Sequence, residues 1–258
     1  MRFGCNGLLG IAMAVWGLVG PGHAQAGDTL IAVSANFTSA ARALMPVFEA
    51  QTGHRVRASF GSTGKLYAQI EHGAPFDVFL AADEVRPRKT EANGLAVSGS
   101  RFTYARGKLA FWSPKAGLFD DPRTYLTEGR FQHLAIANPA TAPYGLAALQ
   151  VLERWGLSER LRDKLVQGDS IAQTFQFIAT GNVDAGFIAL SQLRDWHGRP
   201  GSLWPVPDSE HDTLNQQAVL LTRARENPAA KAWLRFLKSP QAVAIIEGYG
   251  YGEGAQLP

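Results

Sequence analysis

Four places in this sequence put a small polar or turn-forming residue where a strand-like run hands over to a helical pattern. They are Asn36 after Leu30–Val33, Ser62 and Thr63 after Arg55–Phe60, Pro143 and Tyr144 after His133–Ala137, and Ser170 and Ile171 ahead of a helix reaching about Thr180. The first N–H groups of a helix have no partner within it. Together with the positive end of the helix dipole they attract an anion. Taken singly, each residue reads as an ordinary helix cap, since Asn, Ser and Thr are common N-cap types. Four in one alternating chain make a stronger case, because open α/β sheets bind ligands beyond the carboxyl ends of their strands. A small oxyanion suits such a site.

Other chemistry finds no anchor. Gly61-Ser62-Thr63-Gly64-Lys65-Leu66 fails as a nucleotide-binding loop, because residue 59 is Ser where the first Gly belongs and Leu66 follows the lysine. No Gly-x-Ser-x-Gly elbow occurs, so a hydrolase reading lacks its nucleophile. His54, His72, His133, His197 and His211 are scattered, with none at metal-ligand spacing from another. Asp120-Asp121-Pro122 reads as a helix-start turn, and Arg86-Pro87-Arg88-Lys89 as a solvated basic turn.

The elements that must position the four turns alternate strand and helix. Leu30–Val33 leads to a helix from Thr38 to about Gln51, bent at Pro46. Arg55–Phe60 leads to a helix ending near His72, and Asp77–Ala81 to a helix near Asp83. Lys108–Trp112 and His133–Ala137 are further strands, the second feeding a helix over Tyr144–Trp155 whose apolar face carries Leu146, Leu149 and Leu152. The helix from Ile171 leads into a strand over Asp184–Leu190, and Ala218–Thr222 is a last strand. Pro228–Gly248 reads as helical and amphipathic, with Trp233, Leu234, Phe236 and Leu237 facing a core. This order implies parallel βαβ units. Breaks between Phe102 and Pro114 and between Trp204 and Asp212 imply two doubly wound α/β lobes joined by a hinge. Residues 27–104 and 207–258 form lobe 1, and 105–206 form lobe 2, with crossovers near Thr103–Arg106 and Val206–Asp208.

The 258 residues carry 25 basic and 22 acidic side chains, with 46% apolar and 18% charged residues. That is a globular composition without the clustered cations that nucleic-acid binding needs. Residues 1–26 read as an export signal: Arg2 is the only charge, Leu8–Val19 is apolar, Gly20-Pro21-Gly22 breaks a helix, and Ala24-Gln25-Ala26 fits a cleavage site. The apolar run is shorter than the roughly 20 residues a membrane span needs. Cleavage near Ala26 removes Cys5, the single cysteine, so disulfides, thiolate zinc sites and a cysteine nucleophile are all excluded from the mature chain. A soluble exported protein is expected, periplasmic in a two-membrane cell.

Four stretches carry a family resemblance: IAVSANFTSA near the start, GSTGKLYAQIEHGAPFDVFLAAD over Gly61–Asp83, IANPATAPYGLAALQVL in the middle and KAWLRFLKSPQAVAIIEGYGY near the end. In order and spacing they resemble the molybdate-binding proteins of bacterial ABC-type uptake systems, within the two-lobed type II class of periplasmic binding proteins. The resemblance implies capture of molybdate, or of tungstate beside it, for delivery to a membrane permease. It implies hydroxyls, amides and backbone N–H groups as ligands, with no metal cation, cationic side chain or cofactor, and a monomeric carrier. Carried over by motif, Asn36 lies in the first binding turn, Ser62 and Thr63 in the second with Thr63 preferred as direct hydroxyl donor, Tyr144 in the third, and Ile171 in the fourth through its backbone N–H. Some relatives have a further Tyr where Ala189 stands, and Tyr144 then replaces its hydroxyl. Lys65 is expected to face solvent. The readings set against this are a carrier of another oxyanion or small carboxylate, a secreted hydrolase, and the sensor domain of a regulator.

Overall fold

The computed structural model describes Met1, residues 26–198 and 201–252, and Gly254. Residues 2–25 of the expected export signal lie outside the described residues. The chain begins with β1 (Asp28–Ser34), α1 (Thr38–Thr52), β2 (Arg55–Gly61), α2 (Thr63–Glu71), β3 (Val78–Leu80), α3 (Val85–Ala92) and β4 (Phe102–Arg106). A second group follows: β5 (Leu109–Ser113), α4 (Pro122–Glu128), β6 (Leu134–Ala137), α5 (Pro143–Arg154), α6 (Ser158–Leu161), β7 (Leu165–Gly168), α7 (Ile171–Ala179), β8 (Ala185–Ala189) and β9 (Ser202–Pro205). The chain then returns through β10 (Asn215–Leu220), α8 (Pro228–Leu237) and α9 (Pro240–Gly248).

These strands form two five-stranded sheets, in the orders β2-β1-β3-β10-β4 and β7-β6-β8-β5-β9. Each sheet places three parallel strands beside an antiparallel one. The expected parallel βαβ units are present, and the antiparallel strands β10 and β5 are added beside them. Each enters its sheet directly from the other lobe, without the helical crossover that a parallel neighbour requires. The chain passes between sheets twice, from Arg106 to Leu109 and from Pro205 to Asn215. The sequence pattern does not single out β4, β7 or β9, and all three are edge strands. An edge strand is half solvated, so its apolar signal is weak: only Gly168 of β7 and Ser202 of β9 are buried.

One expectation is corrected, and another is made finer. In α5 the buried stripe is Tyr144, Ala147, Ala148, Val151 and Leu152, the i, i+3, i+4, i+7, i+8 pattern of one helical face. Leu146 lies off that stripe and is 47% exposed at the edge of the cleft between the lobes. The C-terminal helical stretch is two helices. Pro240 inside one continuous helix would remove an N–H and strike the preceding turn, so the chain breaks at Lys238 and Ser239. There the Ser239 hydroxyl accepts the Ala242 N–H at 3.2 Å and restarts the helix. Trp233, Leu234, Phe236 and Leu237 are buried as expected, with Trp233 edge-on to Phe48 of α1 at 5.1 Å.

Packing at the start of α5 fixes the third turn. A Cβ on Gly145 would lie 2.1 Å from the Ala137 carbonyl oxygen at the end of β6, which lets the helix seat directly on the strand that precedes it. Gly145→Ala should therefore destabilise the protein although Ala is the better helix former. We expect a loss of about 1–3 kcal/mol, read as a drop in Tm of roughly 2–10 °C. A Tm at or above the parent value would show that α5 does not rest on this contact.

Candidate functional site

The carboxyl ends of β1, β2, β6 and β7 point into the space between the sheets. The segments that follow them are a 3-10 turn over Ala35–Phe37 and the starts of α2, α5 and α7. They converge on one small cavity that Asn36, Ser62, Thr63, Tyr144 and Ile171 all line, joined by Ser34, Ala35, Ala82, Ala142 and Pro143. It is small, with a volume of about 10 Å3. Larger grooves of about 450 and 530 Å3 lie at the cleft edge and beside the crossings. Neither of those is lined by Asn36, Ser62, Thr63, Tyr144 or Ile171.

No charged side chain lines the small cavity. Thr63 and Ile171 are the first residues of their helices and Tyr144 the second of its own, so their N–H groups have no partner one turn earlier. Pro143 occupies the first position of α5, where its missing N–H costs nothing. Three helix dipoles and a 3-10 turn therefore present positive ends to one point, an arrangement that favours a small anion.

The hydroxyls sort differently from the sequence expectation. Thr63 Oγ1 lies 2.6 Å from Ser34 Oγ and also accepts the Ala82 N–H at 3.2 Å. Two hydroxyls share one bond, so the Ser34–Thr63 pair has one proton left to donate. Ser62 Oγ is buried with no hydrogen-bond partner. It also makes no cap bond to α2, unlike Ser170, whose hydroxyl accepts the Gln173 N–H. A buried polar group without a partner is costly. Ser62 is thus the free side-chain donor at the cavity, and Thr63 is half committed to holding the turn.

Asn36 is committed as well. Its amide nitrogen donates to Gln216 Oε1 at 2.9 Å and to the Tyr251 hydroxyl at 3.2 Å, which uses both protons. Its carbonyl accepts from Tyr251 at 2.6 Å and from Ser191 Oγ at 3.1 Å. Gln216 in turn accepts from Tyr104 at 3.0 Å and donates to the Tyr144 hydroxyl at 3.2 Å. The side chain of Asn36 therefore fixes the first turn. Tyr144 also behaves differently from a hydroxyl ligand, because its oxygen sits against Gly107 at the first crossing and on Gln216 of β10. Ala189 is fully buried among apolar side chains at the end of β8.

Burial pushes the Tyr104, Tyr144 and Tyr251 phenols up from their ordinary range. All three stay protonated at neutral pH, and the network behind the cavity carries no charge that would repel an anion. Sequence reasoning did not single out Gln216, Ser191 or Tyr251. The signal for Gln216 was the amide run Asn215-Gln216-Gln217 leading into the apolar Ala218-Val219-Leu220, since a buried amide needs specific partners.

The lobes meet across the cavity. Gly64 N–H donates to the Thr141 carbonyl at 2.8 Å, and Arg86 Nη2 donates to the Ala140 carbonyl at 2.8 Å. Lys65 does face solvent, yet it pairs with Asp169 of the other lobe at 2.9 Å. The basic run at Arg86 is the first turn of α3 rather than a free turn, and Arg86 is held by Asp83 through both its backbone N–H and its guanidinium. Gln192 braces the fourth turn, accepting the Ala189 N–H at 2.9 Å and donating to the Ile171 carbonyl at 3.0 Å. His54, His72 and His211 find local backbone partners away from the cavity.

Comparison with known proteins agrees with this architecture. The chain is 52% identical over 230 residues to the molybdate-binding protein ModA of Azotobacter vinelandii, covering 89% of this chain and 91% of that one. It is 48% identical over 237 residues to the molybdate-binding protein ModA of Rhodobacter capsulatus, covering 92% of each. Among solved structures, the periplasmic molybdate-binding protein of Azotobacter vinelandii superposes with a TM-score of 0.83 at 41% identity, over 89% of this chain and 99% of that one. A sulfate-binding protein of Mycobacterium tuberculosis shares the fold at a TM-score of 0.72 and 14% identity, over 88% and 87% of the two chains. The family model described as bacterial extracellular solute-binding protein matches residues 29–252, and the chain belongs to that family.

Proposed function

We propose that this chain is an exported, periplasmic carrier that captures molybdate, and tungstate with it, and hands the ion to the permease of an ABC-type uptake system. The observation that carries this reading is the convergence of four strand-to-helix turns, two from each sheet, on one small uncharged cavity. The relatives that are about half identical to this chain are molybdate-binding proteins, which supplies the identity of the anion. The ligands are Ser62 by its hydroxyl and main chain, the spare proton of the Ser34–Thr63 pair, and the main-chain N–H groups of Asn36, Tyr144 and Ile171. One chain supplies both halves of the cavity, so a monomer suffices. The passages around Arg106–Leu109 and Pro205–Asn215 act as the hinge between a lobe of residues 27–104 with 207–258 and a lobe of residues 105–206. The export signal is cleaved near Ala26.

The function is capture without chemistry. A hydroxyl becomes a nucleophile only beside a base, and the residues lining the cavity include neither a histidine nor a carboxylate. Selectivity rests on cavity size, which separates molybdate from the smaller sulfate, and on donors without acceptors, which disfavour a protonated oxyanion such as hydrogen phosphate. A fully ionised oxyanion accepts from every direction, whereas a protonated one brings a donor of its own that finds few acceptors here.

A ligand that binds only the native state raises the melting temperature by mass action. Molybdate and tungstate should each raise Tm, by an amount that grows with concentration, while equimolar sulfate and phosphate leave it near the apo value. A larger shift with sulfate than with molybdate would refute the assignment.

The two hydroxyl positions should separate stability from binding. Ser62→Ala removes a buried group that has no partner, so the apo protein should be as stable as the parent or more so. Its molybdate affinity should fall roughly tenfold to a hundredfold, for one bond to a charged group worth about 1.5–3 kcal/mol. Thr63→Val strands Ser34 and the Ala82 N–H, so it should lower apo Tm as well as affinity. Calorimetry and melting curves on both variants check this, and an unchanged affinity in Ser62→Ala would remove that hydroxyl from the site.

A further inference from the structure

Resting on the binding reading above, we infer that Gly64 and Arg86 form a clasp on the loop 139–141 that holds the lobes shut and sets how slowly the anion leaves, although neither residue lines the cavity. Beside the Gln150–Asp212 pair and the buried Ser191–Asn36 and Gln216–Tyr144 bonds, three contacts join α2 and α3 of the first lobe to the second, and they are unequal. Lys65 and Asp169 have side chains that are 49% and 71% exposed, and an ion pair so open to water contributes little. Gly64 and Arg86 are better built. Gly64 offers a main-chain N–H near the start of α2, and a Cβ in its place would lie 2.9 Å from Thr141 Cα and 3.1 Å from the Thr141 carbonyl oxygen. A side chain at position 64 therefore pushes Thr141, and the loop that carries it, away from α2. Arg86 reaches the Ala140 carbonyl from a guanidinium already fixed by Asp83, and its side chain is only 21% exposed.

The gripped loop is rigid and leads to the anion-facing turns. Asn138 Oδ1 accepts the Ala140 N–H at 3.0 Å, and the Asn138 carbonyl accepts from Thr141 and Ala142 at 3.2 and 2.8 Å. Asn138 N–H donates to the Gly168 carbonyl at 2.8 Å, at the end of β7. The loop therefore moves as one piece with the starts of α5 and α7, the two helices that the second lobe brings to the cavity. A grip on it from Gly64 and Arg86 holds both of those helix starts against the first lobe. Gly64 and Arg86 are positioning residues, acting through the loop and not on the ion.

The test compares the full chain with its Gly64→Ala and Arg86→Met variants, using molybdate as the probe. Association should be near the parent rate in both, since encounter precedes closure, while dissociation should speed up about tenfold, because affinity differences among variants of one site lie mostly in the off-rate. Apo Tm of Gly64→Ala should hold or rise, Ala being favoured in a helix. Small-angle scattering at saturating molybdate supplies the readout that a merely local defect would not move. Ser62→Ala should still compact, whereas Gly64→Ala should keep the apo radius of gyration. A parent-like dissociation rate in either variant, or full compaction of saturated Gly64→Ala, would overturn the clasp while leaving molybdate capture standing. Failure of the parent chain to bind molybdate would instead overturn the ligand assignment and this inference with it.

Discussion

An anion held without a cation must be held by many dipoles at fixed positions, and the rest of this structure follows from that requirement. A single backbone N–H is a weak partner for a full charge, so several must converge, and each must have been released from the hydrogen bonding of its own element. The first residues of helices meet both conditions. Convergence requires that strands end together, which the two sheets achieve by aiming β1, β2, β6 and β7 at one point. The three parallel strands in each sheet matter for this reason, because parallel neighbours end on the same side and launch their helices from there.

Fixed positions need a second layer that is polar yet uncharged. Gln216, Tyr104, Tyr144, Tyr251 and Ser191 supply it, satisfying both protons of the Asn36 amide and its carbonyl. Phe37 packs edge-on against Tyr104 at 4.9 Å and Tyr251 at 5.3 Å, so the same rings also anchor the start of α1. A carboxylate in this layer would oppose the anion, and a lysine would compete with the donors for it. The end of the chain takes part: Gly252 pairs with Arg106 beside the first crossing, which brings Tyr251 to the first turn. Binding turn, crossing and C-terminal segment are thereby one connected unit.

The site also carries a cost. Ser62 Oγ is buried and unpartnered at the cavity wall, and an unmet buried donor is costly. Nearby, the Ser34–Thr63 pair and the Gln192 brace are satisfied. The contrast between this idle donor and the bonded Ser34, Thr63 and Asn36 side chains beside it marks where a ligand completes the hydrogen bonding.

Much of this was legible in the sequence. The strand and helix order, the four hand-over turns and the absence of any nucleophile or metal-ligand pattern are local features, set by periodicity, cap residues and spacing. They place Asn36, Ser62, Thr63, Tyr144 and Ile171 at element ends, and the chain brings all five to one cavity. What sequence reasoning assigned less well depended on partners far along the chain. Thr63 and Ser62 are adjacent and similar, and only Ser34, 29 residues earlier, decides which hydroxyl is engaged. The Asn36 side chain looks like a ligand until Gln216, 180 residues away, takes one of its protons. Leu146 fits an apolar face by spacing, but its direction is set by how α5 seats on β6 through Gly145. Periodicity and capping act over one or two turns of chain and can be read from residue types. Which polar atom is left free is settled by neighbours that only folding brings within about 3 Å, and so it belongs to the tertiary structure.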